Sequence, residues 1–449
     1  MRRVLILGSD FLPSTYPPAL RIRNFVRYLP EFGWQPTVLT VDPRHYEWRV
    51  DLTMSDLMPL GVEVVRTPAL PVRLTRKVGI GDLGIRSLWP HWREVSRLCA
   101  DGRVDLVFIP VPPYVPMVLG RLAHTGFGVP YVVDYIDPWV TDYYFKLPRK
   151  QRPPKWALAY AVSRLLEPVA LRRVAHLTGV SRGTTDLVKS RYPWLADVGA
   201  TEIPYGGEPS DFELLRRRPR RNVVFDPSDG RLHLTSVGRG GPDLVPALTA
   251  LLRGLRLVIE RSPDISARVR VHFVGTTYAV NSRGAGPYQV LPLARRMGVD
   301  GWVHEHPQRI PYLDALQIML DSHALLALGS EEGYYTASKI FPYVLSRRPV
   351  LAVFHEASSV VDILRESGAG EVVTFRAGNS PEEKAEEIAA RLERLLRLPP
   401  DYEPPTRWEA FEAYTARAMT ARLAEAFEQA LRRAGRTSLG SLREGCSSS

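Results

Sequence analysis

Short runs of apolar and β-branched residues alternate with amphipathic helical patterns along most of the chain. In the first half, these runs predict strands at residues 4–7, 36–41, 62–65, 105–109, 131–135, 176–180 and 201–204. After a basic stretch at 213–222, further runs predict strands at 233–237, 269–274, 302–306, 324–329, 350–354 and 371–375. Strands that alternate with helices are typical of parallel sheets, so the pattern predicts an α/β protein with two successive Rossmann-like domains.

The same pattern divides the chain into segments. We expect a first domain over residues 1–205, a linker over 206–222, a second domain over 223–400 and a helical segment over 401–436. The last residues, 437–449, are polar and rich in serine and glycine, which predicts a disordered tail.

Length and composition agree with two globular domains. The chain has 449 residues, of which 45% are hydrophobic and 24% charged. Its most apolar stretch, 104–122, contains four prolines and does not predict a transmembrane helix. The apolar run at 4–7 has the length of a strand, and Asp10 follows it in place of a small-residue cleavage site. We therefore expect a buried strand there, not a signal peptide, and a cytoplasmic protein.

Residue types that bind metals are sparse. The two cysteines, Cys99 in a predicted helix and Cys446 in the polar tail, provide neither a disulfide framework nor a ligand cluster. His304 and His306 face one side of a predicted strand, but no third ligand accompanies them. The sequence therefore predicts no metal site and no cofactor.

The chain is basic, with a net charge of +11, which indicates an anionic partner. Nucleic acid, a membrane surface and a phosphorylated substrate all meet that description. The signatures of zinc fingers, RNA-recognition motifs and KH domains are absent from the sequence, so we expect no nucleic acid among the partners.

Unusual residues follow the predicted strands, where open parallel sheets bind their ligands. They lie at 8–11, 110–114, 134–139 and 180–183 in the first domain, and at 237–241, 274–278, 304–307 and 329–333 in the second. Two domains that face each other across a cleft bring both sets to one site.

Two features of the second domain suit an anion. In the turn Gly238–Arg239–Gly240, glycines permit close backbone approach, the following helix offers N–H groups and arginine adds a forked donor. Lys339 lies where a helix begins, so a bound diphosphate would be attracted by the lysine and the helix dipole together. The alternatives are a purely structural turn, which lacks the dinucleotide fingerprint, and a solvated surface lysine.

Four segments together resemble GT-B glycosyltransferases, broadly glycosyltransferase family 4. They are VPYVVDYIDPW (129–139), HLTGVSRGTTDLVKSRYP (176–193), TEIPYGGEPSDF (201–212) and GSEEGYYTASKIFPYVLSRRPVLA (329–352). The resemblance implies a GT-B fold, in which an acceptor-side N-terminal domain faces a nucleotide-sugar-binding C-terminal domain across a cleft. It also implies an enzyme of the hexosyltransferase type whose partners are a nucleotide-diphosphate sugar and a carbohydrate or lipid-linked acceptor.

The resemblance also assigns roles to residues. Arg239 and Lys339 would hold the pyrophosphate and stabilise the leaving nucleoside diphosphate without a metal. The other donor-side residues would be Gly238, Gly240, Glu331, Glu332 and Ser338, and the acceptor-side residues Asp10, Asp137 and Trp139, with Asp137 as a candidate base. The alternative role of the two aspartates is to cap helices, and the alternative for the two glutamates is a solvated loop.

The sequence departs from the family pattern at two places. Many relatives carry Glu-x₇-Glu, but the residue eight after Glu331 is Lys339, and the ribose-side glutamate aligns with Pro342. The usual second basic residue after Arg239 is missing, because 240–247 contains none. The nucleotide base therefore cannot be named from the sequence, and Lys339 is expected to carry more of the phosphate contact.

The resemblance favours a retaining, metal-independent transferase in the synthesis of cell-surface polysaccharide or glycoconjugate. A nucleotide-sugar epimerase and a non-catalytic GT-B protein that binds a sugar or a partner are the alternatives. Both share the fold, and the missing ribose glutamate keeps the second alternative open.

A basic segment suggests peripheral attachment to the inner face of an anionic membrane. Next to Trp156 and Tyr160 lie five cationic residues, namely Lys146, Arg149, Lys150, Arg152 and Lys155. The alternative is an ordinary helix whose apolar residues Leu158, Ala161, Val162 and Leu165 face the core.

Overall fold

The computed structural model describes residues 1–48, 50–146, 149, 152–153, 155–277, 287–333, 335, 337–376, 378 and 381–445. The chain forms two compact units. The first contains Met1–Pro204 and the residues from Ala416 onward, and the second contains Tyr205–Thr415.

The first unit has a parallel sheet of seven strands in the order β3-β2-β1-β4-β5-β6-β7. The strands are β1 (Arg2–Leu7), β2 (Trp34–Val41), β3 (Glu63–Thr67), β4 (Leu106–Val111), β5 (Tyr131–Tyr135), β6 (His176–Gly179) and β7 (Gly199–Glu202). Each overlaps a run predicted from the sequence, although β7 begins and ends two residues before the predicted run at 201–204. The order reverses between β1 and β4, as in a Rossmann fold, so ligand-binding loops are expected after these two strands.

Helices connect these strands. They are α1 (Pro17–Tyr28), α2 (Val72–Thr75), α3 (Leu83–Ala100), α4 (Met117–Phe127), α5 (Tyr143–Lys146), α6 (Trp156–Leu171) and α7 (Arg182–Arg191). Short 3-10 turns occupy Leu29–Phe32, Pro43–His45, Leu52–Leu57, Arg76–Val78 and Pro193–Leu195.

A buried ion pair ties α1 to the middle of this sheet. The guanidinium of Arg21 donates two hydrogen bonds, of 2.7 and 2.9 Å, to the carboxylate of Asp134 on β5, and both side chains are completely buried. Arg21 also donates to the carbonyls of Ile203 and Pro204, and the Thr178 hydroxyl donates to Asp134. The charges are fully hydrogen-bonded, which is the condition under which a protein interior tolerates them.

The second unit has a parallel sheet of six strands in the order β10-β9-β8-β11-β12-β13. The strands are β8 (Leu232–Val237), β9 (Val269–Val274), β10 (Val303–His306), β11 (Ala324–Leu328), β12 (Val350–His355) and β13 (Glu371–Phe375). These also coincide with the predicted runs. The order again matches a Rossmann fold, with its reversal between β8 and β11.

The helices of the second unit cover both faces of its sheet. They are α8 (Pro209–Arg217), α9 (Val245–Arg261), α10 (Pro263–Arg268), α11 (Leu291–Arg296), α12 (Tyr312–Asp321), α13 (Ile340–Leu345), α14 (Ser359–Ser367), α15 (Ala385–Leu396) and α16 (Trp408–Glu412). Two 3-10 turns lie at Pro242–Leu244 and Pro381–Lys384. Leu251, Leu255 and Leu392 pack on Leu234 and Val271 in the core beneath α9 and α15.

Segment boundaries differ from the sequence expectation at two places. The stretch 206–222, expected to be a linker, contains helix α8, because Phe212 and Leu215 are buried in the second unit. The C-terminal helix α17 (Ala416–Gly445) belongs to the first unit and includes residues 437–445 of the expected tail. This stretch contains no proline, and a glycine costs a helix only about 1 kcal/mol. The remaining tail residues, 446–449, lie outside the described residues.

Helix α17 packs on the first unit through Phe427. Its ring meets Trp34 at 5.0 Å and Phe108 at 5.2 Å between centroids, in edge-to-face geometry. Within the described ranges, none of the helices combines the length and the hydropathy that crossing a bilayer requires.

Candidate functional site

The reversal of strand order in the second unit brings two predicted loops together. Strands β8 and β11 are neighbours, with Leu234 paired to Ala324 and Thr235 paired to Leu325. The loop after β8 begins at Gly238 and the loop after β11 begins at Gly329. The glycine turn and the Glu331–Glu332 loop therefore lie at the position where doubly wound sheets bind nucleotides.

The glycine turn allows Lys339 to approach the backbone closely. Gly238 has a φ of 126°, and a Cβ atom placed on it would lie 3.2 Å from Lys339 Cε and 3.3 Å from Nζ. The N–H groups of Gly238 and Gly240 donate to the carbonyls of Val274 and Thr276. These two N–H groups are therefore engaged by the end of β9 and by the residues that follow it. The lysine side chain over the turn provides the positive charge instead.

Lys339 is a half-buried cation without a partner in the described part of the chain. It is the N-cap residue of α13, and its ammonium forms no hydrogen bond or ion pair with any described residue. Burial, followed by the nearby charge of Arg239, lowers the pKa of Lys339 to about 8. Helix α13 has only six residues, so its dipole adds little. The ammonium group itself is the anion-attracting feature here.

Arg239 is held by an acidic residue that the sequence analysis did not consider. Its guanidinium donates to both carboxylate oxygens of Asp243 at 2.8 Å, and it lies 5.4 Å from the ring centre of Tyr335. Asp243 occupies the stretch where relatives were expected to carry a second basic residue. An acidic residue in place of a basic one makes this turn less positive than the family pattern implies.

Tyr343 fixes the lysine turn against the end of β8, and sequence reasoning missed it. The N–H of Val237 donates to the Tyr343 hydroxyl at 2.7 Å, and the side chain is fully buried. Burial raises the pKa of Tyr343 well above its usual range. Tyr343 follows Lys339 by four residues, so helical spacing would have placed both on one face.

A second missed residue, Glu305, organises the loops beside the glycine turn. Its carboxylate accepts hydrogen bonds from the Thr276 hydroxyl and from the N–H groups of Gln289, Val290 and Leu291, at 2.5 to 2.9 Å. The Thr276 carbonyl accepts from Gly240 N–H. Glu305 therefore fixes Thr276, the residue that holds Gly240 of the turn.

The two predicted donor-sugar residues differ in exposure. Glu331 is exposed, whereas Glu332 is half-buried and its N–H donates to Ser330 Oγ at 3.2 Å. The Glu332 carbonyl accepts from Tyr335 N–H, and the Tyr335 carbonyl accepts from Ser358 Oγ. Ser338 is an exposed turn residue next to Lys339. The loop is thus fixed at its backbone, and of the two glutamates only Glu331 is exposed.

His304 and His306 join two further histidines on one face of the sheet. His233 Nδ1 lies 2.9 Å from His272 Nε2, and His233 Nε2 lies 3.0 Å from Asp229 Oδ1. Burial, followed by the charge of neighbouring histidines, lowers the pKa of His272 to about 3. Among the described residues, no group of three or more His, Cys, Asp or Glu side chains has an arrangement that could hold a metal. The rings form a stacked structural layer.

In the first unit, Asp10 lies directly after β1. Its side chain is buried and accepts a hydrogen bond of 2.7 Å from Ser14 Oγ. Burial raises the pKa of Asp10 to about 6. Asp10 does not cap α1, whose N-cap residue is Tyr16.

Asp137 and Trp139 lie after β5. Asp137 is exposed, and its carbonyl accepts a hydrogen bond of 3.2 Å from the Tyr114 hydroxyl. The Trp139 ring stacks on Tyr114 with centroids 5.4 Å apart and an angle of 7°. Asp137 lies six residues before α5 begins at Tyr143, too far to cap that helix. Tyr114 and Trp139 thus form a stacked aromatic pair, and exposed Asp137 lies two positions before Trp139 in the chain.

Comparison with known proteins gives one family and many structural relatives. Residues 18–206 match the family model described as a glycosyl transferase 4-like domain. No curated protein matches the chain.

Several solved structures share the architecture over nearly their whole length. The Anabaena protein HepE, in complex with UDP and glucose, is 14% identical with a TM-score of 0.54 over 99% of this chain and 100% of its own. A trehalose-phosphate synthase from Burkholderia xenovorans, in complex with glucose-6-phosphate, is 12% identical with a TM-score of 0.60 over 96% and 100%. A putative UDP-N-acetylglucosamine 2-epimerase from Listeria monocytogenes is 10% identical with a TM-score of 0.51 over 95% of each chain.

These identities establish the fold alone, because one fold supports several chemistries. The family match lies almost entirely within the first of the two units. The predicted resemblance is therefore confirmed: residues 18–206 match a glycosyl transferase 4-like domain, and the chain has the GT-B fold of the solved structures that it resembles.

Proposed function

We propose that the protein transfers a hexose from a nucleotide-diphosphate sugar to a carbohydrate or lipid-linked acceptor. The transfer proceeds with retention and without a metal ion, in the synthesis of cell-surface polysaccharide or glycoconjugate. The observation that carries the proposal is the ammonium of Lys339, which is half-buried over the glycine turn at the reversal of strand order and has no partner among the described residues.

Lys339 stabilises the leaving group in this proposal. When the glycosidic bond to the diphosphate breaks, negative charge grows on the phosphate oxygens. A preorganised cation at that position lowers the barrier, because its solvation is already replaced by the protein. The UDP that HepE holds makes UDP the first nucleotide to test.

Acceptor-side chemistry falls to residues of the first unit. Burial raises the pKa of Asp10 to about 6, which makes its carboxylate a better acceptor for a proton from a sugar hydroxyl. The stacked rings of Tyr114 and Trp139 offer a flat apolar surface for a sugar ring, and Asp137 adds a hydroxyl acceptor beside it. Glu331 and Glu332 are the donor-sugar contacts of the proposal.

The ion pair between Arg239 and Asp243 leads to a prediction about donor affinity. A bound diphosphate would share Arg239 with the Asp243 carboxylate, and the two anions repel each other. Asp243→Asn should therefore tighten UDP binding about 5- to 30-fold, as measured by calorimetry.

The matched control for Asp243 is Glu260→Gln, which removes an exposed i,i+4 partner of Arg256 in the same unit. It should leave UDP affinity unchanged. Weaker UDP binding by Asp243→Asn would contradict the competition and would make Asp243 a residue that orients Arg239 for the phosphate.

The function is tested with a panel of nucleotide sugars. Release of nucleoside diphosphate with transfer to an acceptor supports the proposal. A changed sugar without release supports an epimerase, and binding without turnover supports a non-catalytic protein. Turnover should persist in EDTA, whereas strict dependence on Mn²⁺ or Mg²⁺ would overturn the metal-independent mechanism.

A further inference from the structure

One surface of the first unit combines exposed apolar side chains with basic ones. In segment 70–80, Leu70, Leu74 and Val78 each expose more than half of their surface. Leu70 precedes α2, Leu74 lies in it and Val78 ends the 3-10 turn that follows it, so the three exposed side chains are close neighbours along the chain. Arg73 and Lys77 are exposed among them. No feature of the sequence had drawn attention to this segment.

Helix α6 contributes a second apolar stripe. Leu158, Leu165 and Val169 each expose more than half of their surface, so the expected core-facing stripe is wrong for these leucines. The face that packs inward instead carries Ser163, Glu167, Ala170 and Leu171. It does so because buried Glu167 accepts hydrogen bonds from Tyr135, Tyr192 and Arg191.

The two segments meet at Lys155. A Cβ atom placed on Gly79 would lie 2.6 Å from Lys155 Nζ, so the end of segment 70–80 touches the residue that precedes α6. Phe145, which is nearly half exposed, packs edge-to-face on Trp156 at 4.8 Å, and Arg152 lies 5.0 Å from the Trp156 ring centre. We call segment 70–80, the described residues of 143–155 and the exposed side of α6 together the apolar–basic face.

Charge on the apolar–basic face has one sign. Segment 70–80 contains three basic residues and no acidic one, and segment 143–165 also lacks acidic residues. The basic side chains of 143–165 that the structure describes are Arg149, Arg152, Lys155 and Arg164. Two acidic side chains in the described part of the chain contact these segments: Glu47 pairs with Arg76 at 2.9 Å, and Asp142 accepts from the Tyr160 hydroxyl at 3.3 Å. The face is therefore strongly positive around exposed aliphatic groups.

We propose that the apolar–basic face docks on an anionic membrane surface. Exposed leucines and valines gain free energy in the acyl boundary, while the surrounding Lys and Arg side chains attract anionic headgroups. Nucleic acid would use the charges but offers no medium for the aliphatic side chains. The inference rests on residues of the first unit alone, so it can fail or hold independently of the donor site.

Co-sedimentation with vesicles tests the proposal, using phosphatidylcholine alone or mixed with phosphatidylglycerol. The full chain should bind the anionic vesicles at low salt and less so at high salt. The triple variant Arg73→Gln, Lys77→Gln, Lys155→Asn should lower the partition coefficient about fivefold per charge, or roughly 100-fold in all. Asparagine is chosen at Lys155 because its φ is 65°.

A matched control removes three exposed arginines of the second unit, in the variant Arg295→Gln, Arg296→Gln, Arg365→Gln. It changes the net charge equally and should bind vesicles like the unmodified chain. A further variant, Leu74→Asn, Val78→Asn, Leu158→Asn, should lower partitioning about tenfold while all charges remain.

Three results would overturn the proposal. The unmodified chain could stay in the supernatant with anionic vesicles at low salt. The charge variant could bind as the control does. The chain could also bind single-stranded RNA through these residues but no vesicle, which would assign the face to nucleic acid.

Discussion

Lys339→Ala is expected to weaken UDP binding roughly 10- to 150-fold and to lower turnover at least as much. The reason is the loss of a charge-assisted phosphate contact, which is worth about 1.5–3 kcal/mol. Lys339 is the half-buried cation over the Gly238 turn, and it forms no ion pair with a described residue. Its removal therefore leaves no described carboxylate unpaired. Calorimetry with UDP and a donor-hydrolysis assay measure the two effects.

The pH dependence provides a second measurement. Since burial and Arg239 lower the Lys339 pKa to about 8, the free protein loses the ammonium charge as the pH rises through that value. UDP affinity should fall as the pH rises above about 8, measured from about pH 7 upward because the terminal phosphate of UDP itself gains a proton at about pH 6. Lys339→Arg should abolish this decline because arginine stays protonated. An unchanged affinity in Lys339→Ala, with the same pH profile, would sink the assignment of the donor site.

Asp134→Ala should cost about 3–5 kcal/mol of unfolding free energy, the largest stability effect we expect. The substitution leaves the Arg21 guanidinium buried with its two carboxylate hydrogen bonds missing. The carbonyls of Ile203 and Pro204 would remain as its partners, which cannot neutralise the charge. Urea denaturation followed by circular dichroism measures the loss.

The control for Asp134 is Glu31→Ala, which breaks an ion pair with Arg417 in the same unit. Those side chains are 45% and 57% exposed, so the expected loss is within about 1 kcal/mol. A combined Arg21→Met, Asp134→Leu variant should regain part of the lost stability because no unpaired charge remains. Equal losses for the buried and the exposed pair would contradict the explanation.

Strands were the most predictable part of the fold. Buried parallel strands such as β4 and β12 are apolar on both faces, so they stand out as continuous apolar runs. Strand pairing was not predictable from the local pattern, because partners such as Leu234 and Ala324 lie 90 positions apart in the chain. Helix α8 was missed because its basic surface hid the two residues, Phe212 and Leu215, that anchor it.

The candidate site was predictable only where one residue type carries the chemistry. Charge made Arg239 and Lys339 stand out, and a position directly after a strand did the same for the glycines. The sequence showed only that 240–247 contains no basic residue, and this hid the role of Asp243, whose carboxylate accepts two hydrogen bonds from Arg239. Glu305 acts by accepting four hydrogen bonds from another loop, an arrangement that no local pattern indicates.

The position of α17 has a consequence for folding during synthesis. Residues 1–204 emerge from the ribosome first, but Phe427, which packs on Trp34 and Phe108, is made only after the whole second unit. Until then the nascent first unit leaves this aromatic surface open to water. The packing of the first unit can therefore be completed only after the second unit has been synthesised.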